Sequence, residues 1–282
     1  MVIKKVIRLC FKVLVLVGMS YLPVHSLGED LPLVTYDFPP YNYIEEGRLV
    51  GASTELVQSL LKEMGYTPVI SSLPFKRAQR FIEEGQAAVI FTYTHSIERR
   101  ETAYLSNPVS YISGVFFKRK EENITWEKYK DLASLKVGAS GGYHYPEPFL
   151  NAIKDNTIRA NFVYQKNPDL VNLRMLVMGR TDVFICELNV CGFLIKRYAP
   201  EFDGLDYINK RTGSLRSFHI GFSKKWPKGE SLRNEFNVQL DKAIAKGYLH
   251  RIYKKYGVIT DFERLGSKGI EVMKQGSESS KK

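Results

Sequence analysis

The segment Thr92–Pro108 carries the residues best suited to binding a carboxylate. It reads TYTHSIERRETAYLSNP and follows the apolar run AAVIF, which is typical of a buried strand. In open α/β sheets ligands gather at the carboxyl ends of strands, so Thr92, Thr94 and Arg99 are expected to face a cleft. A guanidinium pairs bidentately with a carboxylate, and neighbouring hydroxyl groups complete the contact. On spacing alone, the charged residues around Arg99 also fit an ordinary helix start.

Glu187 and His144 are the two residues that could act as a general acid or base. The sequence pairs neither of them with a nucleophile or with the spacing of metal ligands. For His144 we expect a surface position or a hydrogen-bonded one, and Glu187 also fits a helix start, where the helix dipole favours an acid. The sequence therefore predicts no enzyme, no metal and no other cofactor.

Alternating strand and helix patterns position these residues. Apolar runs typical of strands occupy Leu31–Thr35, Thr67–Ser71 and Ala87–Thr92. Between them, Ala52–Met64 and Lys76–Glu84 have the i, i+3, i+4 spacing of amphipathic helices, and glycine follows each one. The pattern predicts βα units of a parallel sheet.

A second series of the same kind follows. Its predicted strands lie at residues 115–118, 136–139, 160–163 and 182–186, and its predicted helices at 126–132, 145–153, 167–177 and 187–197. The chain then has strand character at 217–223 and helical spacing at 232–246 and 248–256. Two such series predict two lobes joined by two crossing strands, with a cleft between them. Lobe 1 is predicted to contain residues 27–112 and 217–262, and lobe 2 residues 113–216.

The two ends of the chain differ from these α/β series. Residues 1–26 begin with cations, continue with an apolar stretch too short to span a bilayer, and end in a polar segment with small residues. This order predicts a cleaved signal peptide and a periplasmic protein. Cys10 precedes Phe11 rather than a small residue, so a lipoprotein is not expected. Residues 263–282 are polar and aperiodic, which predicts a flexible tail.

The number and distribution of charges bear on the possible partners of the protein. Cleavage after Ser26 removes four cations and lowers the formal net charge from +11 to +7. The remaining cations are dispersed rather than clustered with aromatic residues, so no nucleic-acid partner is expected.

Cys186 and Cys191 could pair in an oxidising compartment, but on one regular helix their side chains would diverge. Two buried thiols are the expected state.

The segment around Arg99 resembles a known family, the bacterial extracellular solute-binding proteins of family 3, which serve polar amino acid transporters. The family segment reads Thr-x-Thr-x-Glu-Arg, then six residues, then Ser-x-Pro. Here THSIER at residues 94–99 is followed by six residues and by SNP at 106–108, with no gap. The resemblance implies that Arg99 and Thr94 hold the carboxylate of a ligand.

Two aromatic segments extend the resemblance. FPPY at residues 38–41 resembles the first strand and aromatic turn of the family, and PFKRA at 74–78 resembles its second aromatic segment. The resemblance implies that Phe38, Tyr41 and Phe75 pack against the ligand, as flat rings do well. Plain core packing of the same three residues remains an alternative.

In the second series, KVGASGGYH at 136–144 resembles a strand and glycine turn that open a helix. Gly142 and His144 lie in this turn, whose backbone N–H groups could receive an anion. GRTD at 179–182 also matches the family, and the position of Glu187 is usually an aspartate that pairs with a ligand ammonium. Glutamate keeps the charge but is one methylene longer, which implies a differently shaped pocket.

Members that bind basic amino acids commonly carry an acid in the first strand, where this chain has Thr35 or Tyr36. Asp37 is out of that register. A preference for lysine or arginine is therefore not expected, and a ligand that bears a carboxylate is better supported than an amino acid in particular.

The resemblance implies an α/β, two-lobed periplasmic-binding-protein fold of type II, in which each lobe is a mostly parallel sheet flanked by helices. It implies a monomer that captures a small carboxylate-bearing ligand, an amino acid or a related molecule, for the permease of an ABC transporter. Two alternatives stay open. One is a periplasmic sensor for a membrane receptor, and the other is an enzyme similar to cyclohexadienyl dehydratases.

Overall fold

The computed structural model describes residues 28–165 and 167–259. The strands are β1 Glu29–Thr35, β2 Tyr43–Glu45, β3 Arg48–Val50, β4 Tyr66–Ser72, β5 Val89–Thr94, β6 Ala103–Leu105, β7 Ser110–Ile112, β8 Gly114–Arg119, β9 Val137–Ser140, β10 Ala160–Val163, β11 Val183–Glu187, β12 Leu205–Arg211 and β13 Arg216–Ser223. The helices are α1 Ala52–Glu63, α2 Phe75–Glu84, α3 Ile97–Thr102, α4 Glu147–Lys154, α5 Pro168–Val177, α6 Leu188–Arg197, α7 Gly229–Ala245 and α8 Tyr248–Lys255, with a 3-10 helix at Tyr129–Leu132. The predicted signal peptide and tail lie outside the described residues.

Lobe 1 is built on a six-stranded sheet with the order β4-β1-β5-β13-β6, in which β7 also pairs with β13. β1 runs parallel to β4 and β5, and β13 is antiparallel to its neighbours. Side chains alternate across the sheet, so Leu33 and Val89 pack with α1 while Val34 and Ile90 pack with α2 on the other face. Cover on both faces explains why every residue of β5 is buried.

Lobe 2 is built on a five-stranded sheet with the order β10-β9-β11-β8-β12. β9 runs parallel to β10 and β11, whereas β8 is antiparallel to β11 and β12. The chain enters this lobe between β7 and β8 and returns to lobe 1 between β12 and β13. The two-lobed α/β fold of the sequence analysis is therefore present, with parallel strands in one half of each sheet and antiparallel strands in the other half, beside the crossings.

Three details differ from the sequence prediction. β12 was not predicted, because burial along it is mixed and leaves no clear alternation. The helix predicted at 126–132 is reduced to the 3-10 helix, and β2 and β3 form a short hairpin outside both large sheets.

Among the described residues, no helix combines the length and apolarity that a membrane span requires.

The expectation of two free thiols was wrong, because Cys186 and Cys191 form a disulfide. Cys186 lies in β11 and Cys191 lies in the first half of α6, so the pair does not share one helix. The turn between strand and helix brings their Cα atoms to 6.3 Å, a distance that a disulfide spans. The bond ties the start of α6 to the end of β11.

Candidate ligand-binding site

A cavity opens between the lobes at the carboxyl ends of β5 and β11. It encloses about 720 Å³ of space, counted out to its open mouth. Its lining includes seven of the residues predicted from the sequence, which are Phe38, Phe75, Thr94, Arg99, Gly142, His144 and Glu187. It also includes Tyr36, Tyr143, Asp169, Arg216 and Phe218. Both lobes therefore contribute side chains to one concave surface.

Arg99 is fixed by its own helix and by the preceding strand. Ser96 caps α3 by accepting a hydrogen bond from the Arg99 backbone N–H at 3.2 Å. Arg99 Nη1 donates to the Thr94 carbonyl at 2.9 Å and also to the Thr94 hydroxyl. The guanidinium carbon lies 5.0 Å from the ring centroid of Phe75 and 4.5 Å from that of Tyr93, within the range of cation–π attraction. Among the described residues these hydrogen bonds use Nη1 only, which leaves Nη2 and Nε for a ligand.

Thr92 lies behind the cavity wall and not on it. It is fully buried, and its φ of 60° is in the left-handed region, which is unusual for a β-branched residue. The Tyr36 hydroxyl donates to the Thr92 carbonyl at 2.7 Å, and the Thr92 hydroxyl donates to the side-chain oxygen of Asn42. Thr92 thus supports Tyr36, which does line the cavity.

Aromatic rings from both lobes form one wall of the cavity. The ring centroids of Tyr36 and Phe75 are 4.9 Å apart, and those of Tyr36 and Phe38 are 5.6 Å apart. Phe38 of lobe 1 also meets Tyr143 of lobe 2 edge-on at 5.8 Å. Tyr41 stacks behind Phe38 at 5.9 Å and is fully buried, so its ring packs in the core and not on the cavity. The wall offers flat apolar surfaces to a ligand body.

Glu187 caps α6 and also lines the cavity. Its carboxylate accepts a hydrogen bond from the Val190 backbone N–H at 2.8 Å and one from Asn189 Nδ2 at 3.2 Å. Burial raises its pKa to about 7, although the hydrogen bonds and the charge of Arg216 act in the opposite direction. Glu187 therefore both caps a helix and lines the cleft, two roles that the sequence left as alternatives.

Asp169 is a buried acid that the sequence analysis did not identify. It lies in the first turn of α5 and accepts hydrogen bonds from the Ser140 hydroxyl at 2.6 Å and the Tyr143 hydroxyl at 3.0 Å. Burial raises its pKa to about 6, and the two hydrogen bonds partly offset that shift. The only signal in the sequence was a helix start after Asn167 and Pro168, which is too common to indicate a site.

Arg216 is the second residue that was missed. It lies at the start of β13, where the second crossing between the lobes ends, and its Nη1 donates to the backbone carbonyl of His144 in lobe 2. Burial lowers its pKa, and the neighbouring charge of Arg99 acts in the same direction while Glu187 opposes both. Its position depends on how the second crossing places β13, which no local motif reveals.

The turn after β9 brings Gly142 and His144 to the cavity. Gly142 has a φ of 80°, a conformation that glycine adopts without steric cost. The pKa of His144 is lowered by burial and by the charges of Arg216 and Arg99, which favours the neutral form of its imidazole.

Comparisons with known proteins agree with this geometry. The family model of the bacterial extracellular solute-binding proteins, family 3, matches residues 33–259. The chain belongs to this family. A probable histidine-binding protein of Campylobacter jejuni is 24% identical over 226 residues, which cover 78% of this chain and 81% of the relative. An arginine-binding periplasmic protein of Mannheimia haemolytica is 22% identical over 238 residues, which cover 83% of this chain and 93% of that relative.

Solved structures show the same fold for this family 3 solute-binding protein. An ancestral arginine-binding protein bound to arginine superposes with a TM-score of 0.69 at 21% identity, covering 82% of this chain and 99% of that chain. The arginine-, lysine-, histidine-binding protein ArtJ of Geobacillus stearothermophilus gives a TM-score of 0.68 at 17% identity, covering 84% and 99%.

The described part of this solute-binding protein groups no three His, Cys, Asp or Glu side chains in a way that could hold a metal ion. The polar groups that line its cleft are guanidinium, carboxyl, hydroxyl and imidazole groups set among aromatic rings. Such a lining is suited to binding a small polar molecule.

Proposed function

We propose that this protein is a periplasmic solute-binding protein that captures a small carboxylate-bearing ligand, an amino acid or a related molecule, and passes it to an ABC transporter. The observation that carries the proposal is the placement of Arg99. Its guanidinium is held by Thr94 and by two aromatic rings at the edge of a cavity between two lobes. A cation fixed in this way is preorganised for a carboxylate, so little entropy is lost on binding.

In the proposed complex, each lobe supplies part of the contact. Arg99 and Thr94 bind the carboxylate from lobe 1, and Phe38 and Phe75 pack against the ligand body. From lobe 2, Glu187 receives an amino group where the ligand has one. The turn with Gly142 and His144 closes the far side and offers backbone N–H groups. Thr92 and Tyr41 support this shell without touching the ligand.

Ligand capture requires a motion of one lobe relative to the other. The chain crosses between the lobes twice, and the cavity lies at their junction. A ligand that contacts both lobes favours the closed arrangement by the difference between its affinities for the two states. The two crossings are the proposed hinge, with residues 113–216 turning as lobe 2.

The proposed location and partners rest on the relatives. One relative is named as a periplasmic protein, and another solved structure of this fold, with a TM-score of 0.65, is the substrate-binding protein of an amino acid ABC transporter. The names of the two curated relatives, histidine-binding and arginine-binding, support an amino acid or a similar molecule. The predicted signal peptide at 1–26 agrees with export, and we propose a monomer that docks on a permease.

The test is a thermal-shift and calorimetry screen of amino acids and small carboxylates, carried out on the wild type, Arg99→Gln and Arg100→Gln. Arg100 is the matched control because it lies on the same helix and is exposed. A ligand that binds only the folded state raises the melting temperature. We expect Arg99→Gln to weaken binding at least 100-fold and Arg100→Gln to change it less than threefold. Equal affinity in all three proteins would refute the proposal.

The same complex separates binding from turnover. We propose that no bond of the ligand is made or broken, so the ligand released by denaturing the complex after a day is chemically unchanged. Mass spectrometry of the released ligand checks this. A dehydrated or otherwise altered product would favour the enzyme alternative, with Glu187 as its acid.

A further inference from the structure

We propose that Arg216 is a second anion-binding residue of the cleft and that the ligand carries two carboxylates, one bound by Arg99 and one by Arg216. The inference rests on the proposed function, because it assigns the ligand class of the same cavity. It goes beyond that function because a carboxylate on Arg99 alone requires only one anionic group.

The first observation is the environment of Arg216. The groups that act electrostatically on its guanidinium, Arg99, Glu187, Tyr36 and Tyr145, all line the cavity. Arg216 lines the same cavity, so its side chain forms part of the cleft wall. Two guanidinium groups that share one partly dehydrated cavity repel each other, and an anion between them would relieve that repulsion.

The second observation is the asymmetry between free donors and free acceptors. A guanidinium has five N–H donors, and Arg216 is recorded with one acceptor among the described residues, the backbone carbonyl of His144. Arg99 likewise bonds through Nη1 alone. Both arginines therefore have N–H groups available to a ligand that enters the cleft.

The acids of the cavity are already paired. Asp169 receives a hydrogen bond on each oxygen, from Ser140 and from Tyr143. Both oxygens of Glu187 also accept hydrogen bonds, from Val190 and Asn189. Each of these carboxylate oxygens thus already has one donor from the protein, whereas the guanidinium groups keep several N–H donors open, so the cleft favours a ligand that supplies acceptors.

The end of the first strand also favours an anionic ligand group over a cationic one. Tyr36, not an acid, faces the cavity from the end of β1, and Asp37 is exposed and outside the lining. A cationic side chain of a ligand therefore meets aromatic rings and two arginines at this end. A second carboxylate meets a guanidinium that pairs with it in a planar, bidentate geometry.

The experiment uses matched ligand pairs that differ in one group. Glutamate against glutamine and aspartate against asparagine keep the α-carbon groups and replace the second carboxylate by an amide. Glutarate and succinate test dicarboxylates without an amino group, and arginine and histidine test cationic side chains. Calorimetry is performed on the mature chain, on Arg216→Gln and Arg216→Lys, and on Arg99→Gln, with Arg100→Gln as the control.

We expect the preferred dicarboxylate to bind the wild type at least 30-fold more tightly than its amide partner. Arg216→Gln should lower dicarboxylate affinity until the acid and its amide bind within threefold of each other. Arg216→Lys, which keeps the charge and loses the planar fork, should lie between the two. Arg99→Gln should abolish binding of both members of a pair.

The outcomes separate the two proposals. Equal affinity of acid and amide for the wild type, with both lost in Arg99→Gln, overturns the role of Arg216 and leaves the carboxylate-binding function intact. Tighter binding of arginine or histidine than of the dicarboxylates would also overturn the role of Arg216 and leave the carboxylate-binding function intact. Failure of every carboxylate to bind the wild type overturns both proposals. The wild-type comparison holds even if Arg216→Gln does not fold.

Discussion

The Arg197 guanidinium on lobe 2 lies 2.9 Å from the Glu45 carboxylate on lobe 1. The same guanidinium lies 5.7 Å from the ring centroid of Tyr43 on lobe 1 and 5.6 Å from that of Phe193 on lobe 2. The two rings are themselves 5.0 Å apart. This group of residues connects α6 with the β2–β3 hairpin outside the cavity. It therefore holds the two lobes together in the observed arrangement without lining the cavity.

Arg197→Gln is expected to weaken ligand binding two- to fivefold. The ion pair is partly exposed, and exposed pairs contribute at most about 1 kcal/mol, which corresponds to roughly a fivefold change in affinity. The matched control is Arg174→Gln, which removes a similar pair with Glu201 inside lobe 2. Calorimetry gives the affinities, and small-angle scattering of the free protein should show an expanded form for Arg197→Gln alone. Equal effects of both variants would show that the pair does not act on closure.

Affinity for an amino-bearing ligand is expected to fall as the pH drops below about 7. The pKa of Glu187 is raised to about 7 by burial, so its carboxyl gains a proton in this range and can no longer pair with an ammonium. Between pH 8.5 and 6.5 the fall should be about fourfold, because the ionised fraction of a carboxyl with a pKa of about 7 drops from nearly all to about a quarter. Glu187→Gln should show weaker binding with no such slope between pH 6.5 and 8.5. This range lies above the pKa of Asp169, about 6.

A ligand without an amino group supplies the control for this prediction. Its affinity should not fall between pH 8.5 and 6.5, because loss of the Glu187 charge removes no contact. An identical slope for both ligands, or a slope that persists in Glu187→Gln, would assign the titration to another group.

The predictable part of the site is the part that local sequence fixes. Arg99 and Thr94 lie in one segment whose spacing survives in the fold, because strand, cap and helix follow one another without a break. Arg216 and Asp169 reach the cavity only through the crossing of the chain and the packing of α5 on lobe 2. The same applies to the fold, where buried β5 was evident and the half-exposed β12 was not.

The disulfide between Cys186 and Cys191 is expected to contribute about 2 kcal/mol to the free energy of unfolding. The bond closes a loop of only a few residues, and the chain-entropy term for such a short loop is of this size. The double variant Cys186→Ser, Cys191→Ser should show a lower urea midpoint with an unchanged slope. The wild type in reducing buffer should match it. A midpoint of the double variant equal to that of the oxidised wild type would contradict the prediction.

His219 is expected to make the protein sensitive to acid. Its Nδ1 donates to the Ser106 carbonyl at 2.8 Å, since a carbonyl only accepts, and its Nε2 accepts from the Ser217 hydroxyl at 2.7 Å. Both bonds suit a neutral imidazole, and burial lowers the pKa to about 4 from 6.5. Between these two values the unfolded chain binds more protons than the folded one. Stability is therefore lost as the pH falls from 6.5 to 4.

The His219→Gln variant tests this against the wild type in urea titrations at pH 7, 6, 5 and 4. It should be less stable at pH 7 because two buried hydrogen bonds are disturbed, and the difference should shrink by roughly 3 kcal/mol towards pH 4. Glu187 and Asp169 have raised pKa values and act in the opposite direction, but both are present in each protein and cancel in the difference. His250, on exposed helix surface, provides the control substitution. A stability difference that stays constant with pH would show that His219 does not titrate between its folded and unfolded states.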